Sequence, residues 1–174
     1  MLVNLSDVLT SEGKQIHMDI PLEMTSFKRG REKFEITDKS LVSFVFTNLE
    51  PEKAKVEGTV SLTFRTYCDR CLIEVPTILE LNFDRMIKSP EVAEEDEDAD
   101  DLSFMEGYCL NVETFVYNEI IGNWPAKILC KDDCKGLCLV CGQNRNLKEC
   151  GCNTFVPDPR MAVIQDIFNA NKEV

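Results

Sequence analysis

Eight of the nine cysteines in this 174-residue chain fall into four close pairs: Cys68 with Cys71, Cys130 with Cys134, Cys138 with Cys141, and Cys150 with Cys152. Six of them lie within "CKDDCKGLCLVCGQNRNLKECGC", residues 130–152, and the other two in "YCDRCL". Thiolate sulfur is a soft ligand, and zinc takes four ligands at tetrahedral corners with each sulfur about 2.3 Å from the ion. A CxxC pair supplies half of such a set, because two intervening residues form a turn tight enough to bring both sulfurs to one metal. In "CLVCG", Gly142 supplies the left-handed backbone that closes the turn. In "CGC", Gly151 eases the bend that sends both flanking sulfurs the same way. The economical assignment places Cys138, Cys141, Cys150 and Cys152 on one zinc ion and joins Cys68 and Cys71 to Cys130 and Cys134 on a second. The rival is a single site built from the 138/141 pair and some mixture of Cys130, Cys134, Cys150 and Cys152, leaving Cys68 and Cys71 free.

Other uses of this sulfur are weaker. The chain lacks a cationic start followed by an apolar run, and no stretch approaches a membrane span. It is therefore expected in the cytoplasm, where clustered cysteines are more often metal ligands than disulfides. A redox role for "CDRC", with Arg70 lowering a thiol pKa, calls for a motif that opens a helix after a strand, whereas this one sits between two strand patterns. An iron–sulfur cluster also takes four cysteines, so the metal's identity stays open between zinc and iron. A site closed by four cysteines has no open position for water, which makes the metal structural. Triad chemistry has little to draw on, since the only histidine is His17. Cys109, alone, is expected as a buried apolar residue. No catalytic residue and no small-molecule substrate is expected.

Alternating patterns supply the elements that would hold these ligands. In "AKVEGTVSLTFRT" (54–66), Val56, Val60, Leu62 and Phe64 share one parity, the pattern of a half-buried antiparallel strand. "IEVPTILELNF" (73–83) repeats it, and Pro76 predicts an edge or a bulge. The two runs form a hairpin with Cys68 and Cys71 at its tip. "LVSFVFTNLEP" (41–51) predicts a third strand and "KQIHMDIPLEM" (14–24) a weaker fourth. "FKRGREKF", with Lys28, Arg29, Arg31 and Lys33 around Gly30, is expected as a solvated turn rather than a phosphate-gripping patch. Asn111 caps a predicted helix carrying Val112, Phe115, Val116 and Ile120, stopped by Gly122 and Pro125. A second helix is predicted from the Asp158 cap and Pro159 through Phe168.

The fold class that follows is α+β: a small curved antiparallel sheet or partial barrel with packed helices and a C-terminal cysteine-rich zinc module. Its parts are a β-rich 1–90, an acidic linker over 91–107, a helix packing on the sheet within 108–126, and the zinc module with its terminal helix at 127–174, together one domain. The linker core "EVAEEDEDADD" holds eight carboxylates and no cation, a composition that cannot bury apolar surface. Thirty-one acidic against nineteen basic residues give a net charge of −12, so no global field draws the chain onto nucleic acid or anionic lipid.

"YCDRCL", then strand, acidic stretch and helix, then "CKDDCKGLCLVCGQNRN", "CGC" and "DPRMAVI", resembles the bacterial YceD-like proteins, also called large ribosomal RNA subunit accumulation proteins. The sequence departs from the usual "CGxNLN" by Arg145 before Asn146, and carries Leu139 where proline is common; neither change touches a sulfur. The resemblance implies a non-enzymatic part in synthesis, processing or accumulation of large-subunit (23S) ribosomal RNA. The implied partners are large-subunit precursors, through a ribosomal protein or the rRNA. Lys127, Lys131, Lys135, Arg145 and Lys148 decorate the module, yet eight thiolates with two zinc ions carry a formal −4. Contact with a ribosomal protein or an assembly intermediate is accordingly favoured over duplex binding. Two other classes stay open: a zinc-ribbon adaptor in transcription, and a thiol redox protein using Cys68 and Cys71.

Overall fold

A computed structural model describes residues 1–89 and 103–152 of the chain. The chain divides into two compact units, Met1–Tyr67 with Glu74–Ile128, and Cys68–Ile73 with Leu129–Val174. The described elements of the first unit are β1 (Leu2–Asn4), α1 (Ser6–Thr10), β2 (Gln15–Ile20), β3 (Ser26–Arg29), β4 (Glu32–Lys39), β5 (Val42–Glu50), β6 (Lys53–Tyr67), β7 (Glu74–Lys88), β8 (Met105–Glu106), β9 (Cys109–Asn111) and α2 (Val112–Asn123).

The long strand β6 organises this unit. Its alternation puts Val56, Val60, Leu62 and Phe64 inside, and β7 pairs with it antiparallel from Lys53↔Lys88 to Tyr67↔Glu74. On its other side β6 is shared: β5 takes Lys53 to Thr59, and β4 takes Leu62 to Arg65. Beyond them lie β2 against β5 and β3 against β4, giving the order β2-β5-β6-β4-β3 with β7 on β6. At fifteen residues and about 3.3 Å per residue, β6 is long enough to carry both half-sheets end to end. Gly58 sits where β5, β6 and β7 run together, opposite Phe44 and Phe83. A Cβ at Gly58 would run into the Ser43 carbonyl and lie 2.7 Å from the Phe83 ring.

Helix α2 covers the inner face of this sheet. Asn111 caps it, its side-chain oxygen accepting the Thr114 N–H at 3.3 Å. Val112, Phe115, Val116 and Ile120 are buried. The Phe115 ring meets Phe44 of β5 and Phe83 of β7 at centroid distances of 5.8 and 5.0 Å. The chain leaves the helix at Trp124, extended as the residue before a proline must be. Its ring packs on Phe27, Phe34 and Phe64 at 4.9, 4.6 and 5.0 Å. Phe115 thus holds one half-sheet and Trp124 the other.

Several expectations change. The sheet is open and does not close into a partial barrel. The packed helices reduce, among the described residues, to α2 and the five-residue α1. "FKRGREKF" is not a turn alone: it is the β3–β4 hairpin, with Gly30 at its tip at φ 60°. Charge on its outward positions hides the inward Phe27 and Phe34, which are what make it a hairpin. A small sheet in the order β1-β9-β8 also had no signal of its own, because strands of two or three residues are too short to show a period. Pro76 lies on β7, which pairs only with β6 among the described strands, so the missing N–H costs no ladder bond. The expected helix at 158–168 and the core of the acidic stretch fall outside the described residues.

Candidate metal centre

Residues 68–73, between β6 and β7, belong to the second unit. They form a turn in which the Cys68 N–H donates to the Ile73 carbonyl at 2.8 Å and the Leu72 N–H donates to the Cys68 carbonyl at 2.9 Å. Residues 138–143 repeat it bond for bond: the Cys138 N–H donates to the Gln143 carbonyl at 2.8 Å, and the Gly142 N–H to the Cys138 carbonyl at 2.8 Å. In each turn the residue after the second cysteine takes the left-handed conformation, Leu72 at φ 59° and Gly142 at φ 72°. The two CxxC segments are therefore the same knuckle built twice.

Each knuckle faces a second pair. The four sulfurs of Cys68, Cys71, Cys130 and Cys134 all lie within 4.8 Å of one another, and so do those of Cys138, Cys141, Cys150 and Cys152. Cys68 and Cys134 sulfurs are 3.7 Å apart, and Cys71 and Cys130 sulfurs 3.5 Å. Sulfurs set tetrahedrally about 2.3 Å from one ion would be about 3.8 Å apart. A disulfide needs about 2.05 Å, and all nine cysteines are free thiols. Donor type, number and spacing therefore suit one thiolate-bound ion per set.

The backbone prepares these sulfurs for charge. Burial works against the Cys68 thiolate, but N–H groups of Cys130, Arg70 and Cys71 outweigh it and bring its pKa down to about 6. At Cys138 the N–H groups of Cys141 and Val140 dominate and also bring it to about 6. Their partners move the other way. Burial, then the neighbouring Cys134 sulfur, pushes Cys130 up to about 12, and crowding by Cys141 followed by burial pushes Cys152 up to about 12. Four anions this close need a cation among them, and a bound divalent ion would lower all four together.

Other contacts hold the first set together. The Arg70 guanidinium donates to the Cys134 carbonyl at 2.9 Å, and the Arg70 carbonyl accepts the Leu137 N–H at 3.0 Å. Gly136, at φ 70°, lets this approach happen: a Cβ there would stand 3.0 Å from the Arg70 oxygen. Asn146 donates from Nδ2 to the Cys134 sulfur at 3.3 Å. Nothing in the sequence marked Arg70 or Asn146 for these contacts, since a lone polar residue in a loop has no period or spacing to betray it. Setting "CDRCL" beside "CLVCG" would have exposed Leu72 as a non-glycine in a glycine's place. The two sets differ in exposure: Cys68, Cys71 and Cys134 are buried and Cys130 half-buried, whereas Cys141 is exposed. Cys109 is half-buried on β9 and not in the core, and His17 is exposed on β2; neither joins a set.

A family model described as "Large ribosomal RNA subunit accumulation protein YceD" matches residues 56–168, well over half of the chain. The chain belongs to the YceD family. The YceD match starts within β6 and takes in both cysteine sets. No curated protein and no solved structure matches. Among the described residues, no helix is long and apolar enough to cross a membrane.

Proposed function

We propose that this YceD-family chain is a non-enzymatic factor in the accumulation of large-subunit ribosomal RNA, and that its two four-cysteine sets each hold one structural zinc ion. The family match over residues 56–168 carries the first part; the two sets of four sulfurs, each within 4.8 Å of one another, support the second. Zinc would be held by Cys68, Cys71, Cys130 and Cys134, and by Cys138, Cys141, Cys150 and Cys152. When bound, it supplies charge neutralisation and a cross-link. Four sulfurs per ion leave no coordination position for a reacting water.

The partner in this reading is a ribosomal protein or an assembly intermediate of the large subunit, met in the bacterial cytoplasm. Electrostatics supports that choice over an RNA duplex. The chain carries −12, and two Zn²⁺ against eight thiolates add no cationic patch. Depletion tests the function: the expected result is a shortfall of large-subunit RNA, with the tagged chain co-sedimenting with large-subunit precursors. Unchanged subunit profiles, or recovery with RNA polymerase instead, would refute it. Elemental analysis of the native chain tests the metal, with two zinc atoms per chain expected. Rapid alkylation of Cys68 and Cys71 in the loaded protein would favour a redox role instead.

A further inference from the structure

Asn146 lies between Cys141 and Cys150, inside the stretch of chain that the second cysteine set closes, yet its side chain reaches a sulfur of the first. Nδ2 donates to Cys134 Sγ at 3.3 Å and to Asn144 Oδ1 at 2.9 Å, and Oδ1 accepts the Lys135 N–H at 2.8 Å. This bonding fixes which way the amide faces. Turned over, Oδ1 would point at a thiolate and at another amide oxygen, both acceptors, while NH₂ would meet an N–H donor. Asn144 holds the arrangement from below, since Oδ1 also accepts the Asn146 N–H at 2.9 Å. The backbone is tied in register beside the first set by the Arg145 N–H donating to the Gly136 carbonyl at 2.9 Å and by the Leu137↔Asn144 bridge.

We propose that Asn146 is a positioning residue for the metal held by Cys68, Cys71, Cys130 and Cys134. Its amide orients the Cys134 sulfur and shares its negative charge, and it does so from the loop that the other set closes. The proposal rests on the metal assignment above. A donor aimed at a ligating sulfur removes electron density that would otherwise accumulate on a four-thiolate site, and it fixes the lone pair left for the metal. Arg70 does not substitute for it, because its guanidinium contacts the Cys134 carbonyl and not the sulfur.

Asn146→Asp is the discriminating variant. Aspartate keeps an oxygen for the Lys135 N–H but replaces the donor with a second acceptor against the sulfur. It also sets an acceptor against Asn144 Oδ1, and a residue that merely held the turn through that bond would loosen both ions alike. The full-length reduced chain, loaded anaerobically with cobalt(II), is titrated with a competing chelator while the thiolate-to-metal absorption is followed. In wild type two ions are expected; in Asn146→Asp one of the two should be released about 10–100-fold more readily. Alkylation should then reach Cys134 and Cys130 before Cys138 and Cys150. Asn146→His, which restores an N–H donor, should recover part of the loss. Release within two-fold of wild type, or equal loosening of both ions, overturns the proposal.

A measurement on the unmutated chain covers the case in which the variants do not fold. With cadmium-113 in both sets, the Asn146 side-chain N–H should show scalar coupling to one metal through the Cys134 sulfur, and absence of that coupling overturns the proposal. The metal assignment fails separately, if the wild-type chain takes up no cobalt or cadmium at all.

Discussion

Leu72 occupies the left-handed region at φ 59°, where the equivalent residue of the other knuckle is Gly142. For an L-residue with a Cβ that conformation costs about 1–2 kcal/mol, part of which glycine gives back through its freer unfolded chain. The Leu72 side chain is 63 % exposed, so little burial is lost with it. Leu72→Gly should therefore raise the stability of the metal-loaded chain by about 0.5–1 kcal/mol, read as a higher urea midpoint; a lower one would show that Leu72 contributes something else. The two thiols held to about 6, Cys68 and Cys138, keep one anion in each set into mild acid. Their folded-state values lie below the ordinary 9.0, so their contribution is present above pH 9 and is lost as pH falls through about 6. Protons compete with the ion for all four sulfurs of a set, so the loaded chain should hold its metal at neutral pH and release it on acidification, a loss followed with a zinc-sensitive dye during acid titration.

Among the elements, β6 and β7 could be read from the sequence because one face of each is buried and the other is wet, which imprints a period of two. The β3–β4 hairpin could not, because Lys28, Lys33 and Glu35 fill its outward face, Arg29 and Glu32 put charge on the face of Phe27 near the tip, and only Phe27, Phe34 and Ile36 show the inward side. The cysteine pairs were visible because soft ligands at fixed spacing are rare by chance; the turn that orients the first of them depends on a backbone angle at Leu72 that only its alignment with Gly142 in the other knuckle reveals. Two elements can be tested directly. Gly58→Ala sets a methyl group against the Ser43 carbonyl and the Phe83 ring where three strands meet, and overpacking of this kind typically costs about 1–3 kcal/mol. Thermal unfolding would register it as a clear fall in midpoint. On the outer part of β7, Arg85 donates to both carboxylate oxygens of Glu119 on α2, at 2.9 and 3.3 Å, and Glu119 is 6 % exposed. Arg85→Ala strands that carboxylate and should cost about 1–3 kcal/mol, whereas Arg85→Ala with Glu119→Leu together should recover much of it. If the single change is silent in a urea titration, the pair is decorative.

At the scale of the whole molecule, the first unit has a continuous apolar core of phenylalanines, valines and leucines, while the described part of the second is loop-rich and organised around sulfur. Stripping the metal should therefore act unequally. In hydrogen exchange, a chelator should erase protection at the Cys68, Cys138 and Gly142 amides and leave that of β5, β6 and α2 in place; uniform loss would mean that the sheet also depends on the ion. Partners within the first set are far apart along the chain, Cys68 from Cys134 by 66 residues and Cys71 from Cys130 by 59. Tying such a loop restricts the unfolded chain by about 4 kcal/mol if the ion acts as a cross-link would. The same separation imposes an order of events during synthesis. The knuckle at the hairpin tip leaves the translating machinery long before Cys130 does, and until then it is a bare dithiol on a finished hairpin, open to oxidation or to borrowing a ligand from elsewhere. Cells short of zinc, or under oxidative stress while this chain is being made, should lose it at that moment rather than after it has matured.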